Sequence, residues 1–60
     1  MAKSIGHDPF KSILEIEFTS GDVYQYLEVP RDVYEEMLTF SIGKYFQAFI
    51  KGRYEEKRVK

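Results

Sequence analysis

Val23-Tyr24-Gln25-Tyr26-Leu27-Glu28-Val29-Pro30 is the stretch on which the fold turns. It is rich in β-branched and aromatic residues, and it stops at a proline that opens a helical pattern. A strand ending at Val29-Pro30 is the expectation. The residues before it can pair with it, and the residues after it must pack on it.

Upstream, Ile13 to Phe18 alternates: Leu14, Ile16 and Phe18 fall on one side, Glu15 and Glu17 on the other. Period two predicts a strand with one wet face. Thr19-Ser20-Gly21-Asp22 between the two runs reads as a hairpin turn. Two registers are open. A two-residue Ser20-Gly21 loop pairs Phe18 with Val23 and leaves Tyr24 and Tyr26 beside Glu15 and Glu17. A three-residue loop with Gly21 at the bulge pairs Phe18 with Asp22 and brings Tyr24 and Tyr26 to the apolar face. A one-residue slip turns every side chain over, so the two exclude each other. Glycine closes the three-residue loop naturally, which favours tyrosines in the core. Further upstream, Asp8-Pro9-Phe10-Lys11-Ser12 reads as a turn, and Ser4 to Asp8 as an edge strand before it.

Downstream, Pro30 suits a first helical turn and Asp32 complements the helix dipole there. Val33, Tyr34, Met37 and Leu38 make an apolar stripe on a helix over about residues 30–39. Ser41 is placed to cap a second helix, in which Ile42, Tyr45, Phe46, Phe49 and Ile50 repeat the stripe and Gly52 provides the stop. The expected class is α+β: an antiparallel hairpin or three-stranded meander followed by two amphipathic helices packed on one face, in the order β-β-β-α-α. A lone hairpin is hardly stable in water, so the helices must cover its apolar face. Residues 1–60 make one domain, with 1–3 and 55–60 expected to be flexible.

Sixty residues bury only about 60% of the unfolded surface, so stability is marginal and a dimer is a natural remedy. The chain has no cysteine, which removes disulfides and thiolate metal sites. Its net charge of −1 is not that of a strongly basic nucleic-acid binder. No apolar run reaches membrane-spanning length, and the first residues lack a signal-peptide core. The reading is cytoplasmic, without membrane association.

In order along the chain, Gly21, Val23-Tyr24-Gln25-Tyr26, Val29-Pro30, Val33-Tyr34, Ser41-Ile42-Gly43, Tyr45-Phe46 and Ile50 together resemble the KTSC domain. That family is named for the C-terminal extension of some lysyl-tRNA synthetases and also occurs as small stand-alone bacterial proteins. The resemblance covers about residues 4–54, with Tyr24-Gln25-Tyr26 matching the family's Tyr-x-Tyr hallmark. It implies a domain of uncharacterised function, suspected of RNA binding through the synthetase association, with no known catalytic residues. Phe40 before Ser41 departs from the short polar or alanine-containing junction expected there, and makes the interhelix turn more apolar.

No motif spacing joins His7, the only histidine, to Ser4, Ser12, Ser20 or Ser41 as a nucleophile–base set. Glu15 and Glu17 read as a solvated strand face, and no ligand spacing joins them to His7 around a metal. Neither a catalytic residue, a metal nor a cofactor is expected. Ser41, Gly43 and Lys44 at a helix start form a candidate anion site, since free N–H groups and a lysine could hold a phosphate; a plain cap is the alternative. Six of nine basic residues fall in the last seventeen positions. Lys44, Lys51, Arg53, Lys57 and Arg58, with Tyr54 for stacking, form a candidate nucleic-acid-binding set. The functional expectation is a non-catalytic binding module, with weak RNA or tRNA contact through the basic C-terminal third. The alternative is a protein-interaction module or small homodimer with no nucleic-acid role.

Overall fold

The hairpin register is set by two hydrogen bonds across the turn. The Phe18 N–H donates to the Asp22 carbonyl at 2.8 Å, and the Gly21 N–H to the Phe18 carbonyl at 2.9 Å. Gly21 takes φ +95°, a conformation open to glycine and costly for other residues. The loop is thus Thr19-Ser20-Gly21. Leu14 then faces Tyr26 and Ile16 faces Tyr24. Residues directly opposite in an antiparallel pair share a face. Both tyrosines therefore lie with Leu14 and Ile16, and the two-residue alternative is excluded.

The computed structural model describes residues 2–60; Met1, part of the 1–3 segment expected to be flexible, lies outside them. The elements are β1 (Ala2–Asp8), β2 (Ile13–Phe18), β3 (Val23–Tyr26), α1 (Arg31–Thr39), α2 (Ile42–Tyr45) continued by a π-helical turn (Phe46–Ile50), and β4 (Glu56–Arg58). The strands form one antiparallel sheet in the order β1-β2-β3-β4. Ala2 and Lys3 belong to β1, which bulges between Ala2 and Ser4. At the β1–β2 turn, Asp8 Oδ1 accepts from the N–H groups of Phe10 and Lys11 at 3.0 and 3.3 Å.

Three expectations are corrected. The central strand ends at Tyr26, short of Val29-Pro30, because Glu28 turns the chain at φ +57°. Val29 is instead fastened to the other end of the sheet: its N–H donates to the Ser12 carbonyl at 2.8 Å. The tail expected to be loose over 55–60 supplies β4, so the order is β-β-β-α-α-β. The Leu27 N–H donates to the Glu55 carbonyl and the Val23 N–H to the Lys60 carbonyl, at 2.9 and 2.8 Å, extending the ladder at both ends. The second helix changes pitch after Tyr45. The Lys51 N–H reaches back five residues to the Phe46 carbonyl at 2.9 Å. The stripe consequently leaves its 3.6-residue period: Ile50 is fully buried whereas Phe49 is 51% exposed. Gly52, at φ +80°, stops the helix as expected.

The buried core is Leu14, Ile16, Tyr26, Val29, Met37 and Ile50, drawn from β2, β3, the β3–α1 loop, α1 and the π turn. Burying each such side chain contributes roughly 1.5–3 kcal/mol. The opposite face of the sheet carries Gly6, Glu15, Gln25 and Lys57 in one row across the four strands, with no helix over it. None of the described helices is long and apolar enough to cross a membrane.

Candidate functional site

Tyr24 and Tyr26 enter an aromatic cluster at the end of the sheet nearest the hairpin turn. Phe18 meets Tyr24 edge-on at 5.8 Å and Phe46 at 5.9 Å, and Phe46 meets Tyr26 at 5.4 Å. Such edge-to-face contacts add about 0.5–1.5 kcal/mol each beyond area burial. The cluster is closed beneath and open above. Tyr26 is 1% exposed, while Phe18, Tyr24 and Phe46 are half-buried. Their open side walls a groove of about 270 Å³ completed by Gln47, Lys51 and Glu56.

The π turn places Phe46 and Gln47 on one wall and Lys51 at the lip, so a local change of helical pitch shapes the groove; such turns are frequent at functional sites. On the opposite wall, the Tyr26 hydroxyl donates to Glu56 Oε1 at 2.8 Å. Burial, and then this carboxylate, push the Tyr26 phenol well above the ordinary tyrosine value. Tyr26 is therefore a hydrogen-bonded, protonated group at neutral pH, fixed in place. The groove offers ring faces and edges, one ammonium, one carboxylate and one amide. These can contact a flat ring, pair with a phosphate and satisfy polar edges; they include no nucleophile–base pair.

The candidate basic residues do not form one surface. Lys51 stands at the groove. Arg58 lies opposite Tyr24 in the ladder, and its Nη2 pairs with Asp22 Oδ1 at 2.8 Å beside the hairpin. Lys57 lies opposite Gln25, on the other side of the sheet. Arg53 is exposed in the turn after Gly52, and Tyr54 is half-buried against the core rather than free to stack. Lys44 sits with Ser41 and Gly43 at the start of α2, lining a separate hollow of about 680 Å³ with Gln47 and Ala48. Ser41 occupies the cap position, yet its hydroxyl makes no cap hydrogen bond; its carbonyl accepts from the Tyr45 N–H at 2.8 Å. Nothing lies within 4 Å of where a side chain at Gly43 would begin, so no contact inside the molecule requires glycine there.

His7 has a structural task. Its Nε2–H donates to the Val29 carbonyl at 2.7 Å, and its ring stacks on Tyr34 at 5.3 Å. It faces the helices with Leu14, whereas Glu15 and Glu17 lie on the far face of the sheet. Those glutamates accept from Gln25 Nε2 and Ser4 Oγ, at 3.0 and 3.1 Å. The sheet itself separates the histidine from both carboxylates. Reading the sequence missed Phe18, Phe46, Gln47 and Glu56 as one wall set. Phe18 and Phe46 were legible as apolar-face residues, whereas Glu56 carried no signal, because β4 has neither alternation nor β-branched residues to announce it.

The family model of the KTSC domain matches residues 1–54. The chain belongs to the KTSC family. A KTSC domain protein of Yersinia pestis, solved as a crystal structure, superposes with a TM-score of 0.89 at 34% identity, over 95% of this chain and 82% of that one. An uncharacterised protein of Stutzerimonas stutzeri is 40% identical over 53 residues, covering 87% of this chain and 75% of the relative. A lysine–tRNA ligase of a Nostoc species is 38% identical over 58 residues; the match takes in 95% of this chain but only 10% of the ligase. Tyr24 and Tyr26, the pair on which the sequence resembles the family's Tyr-x-Tyr, have distinct physical tasks. One tyrosine closes the core and hydrogen-bonds the last strand, and the other lines the groove. The family match ends before β4, whose Glu56 completes the groove wall.

Proposed function

We propose that this KTSC domain is a small non-catalytic cytoplasmic module that binds single-stranded RNA, such as an exposed tRNA segment, weakly through the Tyr24–Lys51 groove. The observation that carries the reading is the meeting of half-buried Phe18, Tyr24 and Phe46 with Lys51 around one open groove. A base edge or face can contact the rings while a flanking phosphate meets the lysine. The presence of a similar segment within lysine–tRNA ligases supports RNA as the class of ligand. The placement of the cations restricts the mode: with Lys44 and Lys57 on other surfaces and Arg58, opposite Tyr24, already paired with Asp22, few phosphates are neutralised together. Affinity is accordingly modest and the salt dependence shallow, with a slope of about −0.7 per phosphate on a single strand. The inward-turned tyrosines speak against a row of stacked bases.

Amide chemical-shift titration at low salt with a short single-stranded RNA, the matching DNA and inorganic phosphate tests this. RNA should shift Tyr24, Gln47 and Lys51, and Lys51→Glu should abolish the effect without unfolding the protein. Unmoved amides at low salt end the proposal. Shifts produced by phosphate alone and confined to Ser41–Lys44 would transfer binding to the start of α2.

A further inference from the structure

A second aromatic feature lies apart from the groove and has no occupant in the fold. Phe40 stacks on Tyr45 at 6.3 Å, and Tyr45 packs against Phe49 at 4.8 Å. Phe40 is 64% exposed and Phe49 51%, on a chain of 60 residues with little core to spare. The three rings and Ala48 line an apolar hollow of about 380 Å³, with Lys44 on its rim. The α1 side of the strip is acidic: exposed Glu36 stands one helical turn before Phe40, whose N–H donates to the Glu36 carbonyl at 3.1 Å, and exposed Asp32 lies a turn further back. The three ion pairs among the described residues join Lys3 to Glu17, Arg31 to Glu35 and Arg58 to Asp22. Lys44, Asp32 and Glu36 are among the several charged side chains that take part in none of these pairs.

An aromatic centre between a lysine on one side and carboxylates on the other is complementary to itself under a two-fold rotation. We infer that the Phe40–Tyr45–Phe49 strip is the isologous interface of a weak homodimer, in which Lys44 of each copy meets the Glu36 region of the other. A two-fold contact requires one patch to fit its own copy, and aromatic residues at the centre with charge confined to the rim is the usual interface anatomy. The strip is three rings and an alanine, a small patch, so the dimer forms in a concentration-dependent way. The interface lies on a different surface from the proposed RNA groove, and its test needs no RNA.

Sedimentation and concentration-dependent amide shifts, carried to millimolar protein, provide the test. The expected result is a rising sedimentation coefficient with shifts at Lys44, Ala48 and Phe49. Lys44→Glu alone and Glu36→Lys alone should each weaken self-association about tenfold or more, since each places like charges opposite one another twice. Mixing the two variants should restore association as a heterodimer, because both cross-contacts then carry opposite signs. Both substitutions are on exposed positions, and thermal melts verify folding. A strict monomer at millimolar concentration overturns the inference and leaves the strip to a different protein or to none. Self-association indifferent to the charge swaps, or not recovered on mixing, overturns it equally.

Discussion

The Tyr26 hydroxyl and the Glu56 carboxylate, thirty residues apart, are joined at 2.8 Å across the β3–β4 pair. This bond ties the central strand to a final strand that contributes no buried side chain of its own. Tyr26→Phe keeps the ring packing and removes the donor. We expect a loss of about 1.5–3 kcal/mol, as for a hydrogen bond to a charged acceptor, read as a lower denaturant midpoint at unchanged slope. Faster hydrogen exchange at Lys57 and Arg58 should accompany it.

The same tyrosine makes stability fall at alkaline pH. In the unfolded chain Tyr26 ionises near the ordinary value of 10.0, whereas in the fold burial and Glu56 hold it protonated to higher pH. The native state then binds the extra proton, so stability is complete below about pH 10 and declines as pH rises beyond it. Urea unfolding across that range should show the decline, and it should be shallower in Tyr26→Phe.

Gly21 and Gly43 should respond to alanine in opposite directions. Gly21 needs its positive φ to close the three-residue loop, so Gly21→Ala should cost about 1 kcal/mol or more. Gly43 is helical with open space where its side chain would begin, so Gly43→Ala should stabilise by about 0.5–1 kcal/mol. Thermal melts of both variants check the pair.

His7→Ala should destabilise by about 1–3 kcal/mol while leaving the groove intact. It removes the donor to the buried Val29 carbonyl and the stack on Tyr34, the contacts that hold β1 to the β3–α1 loop. Chemical denaturation reads the loss, and an RNA titration unchanged at Lys51 would separate this structural task from binding.

Glu28→Gly should raise stability by up to about 1 kcal/mol. Glu28 is exposed and occupies φ +57°, which glycine adopts without the Cβ penalty. Differential scanning calorimetry checks it; an unchanged or lower melting temperature would mean that the Glu28 side chain supports the turn.

Much of this architecture is written locally. The alternation of Leu14, Ile16 and Phe18 announces β2, Gly21 favours the three-residue loop, and the stripe of Val33, Tyr34 and Met37 announces α1. The less legible features involve residues whose neighbours are distant in sequence. Glu56-Lys57-Arg58 has no pattern of a strand and becomes one only because the β3 edge presents free backbone groups to it. Phe49 obeys the helical stripe of Tyr45 and Phe46, yet the π turn carries it to the surface and seats Ile50 in the core. The basic residues are adjacent along the chain but point to several surfaces, because β4 sends Lys57 and Arg58 to opposite faces of the sheet.

For this protein the sequence by itself determined the α+β class and the helix stop at Gly52, since period, glycine geometry and apolar patterning act over a few residues; it favoured the three-residue hairpin, and the Phe18–Asp22 hydrogen bond decided that register. Tertiary structure alone decided that Val23–Pro30 is half strand and half clamp. It also decided that Tyr26 answers to Glu56 and that Lys51 lines the groove of Tyr24 and Tyr26 while Arg58, opposite Tyr24, is taken up by Asp22. Those outcomes depend on pairing between segments some thirty residues apart, which no local propensity encodes.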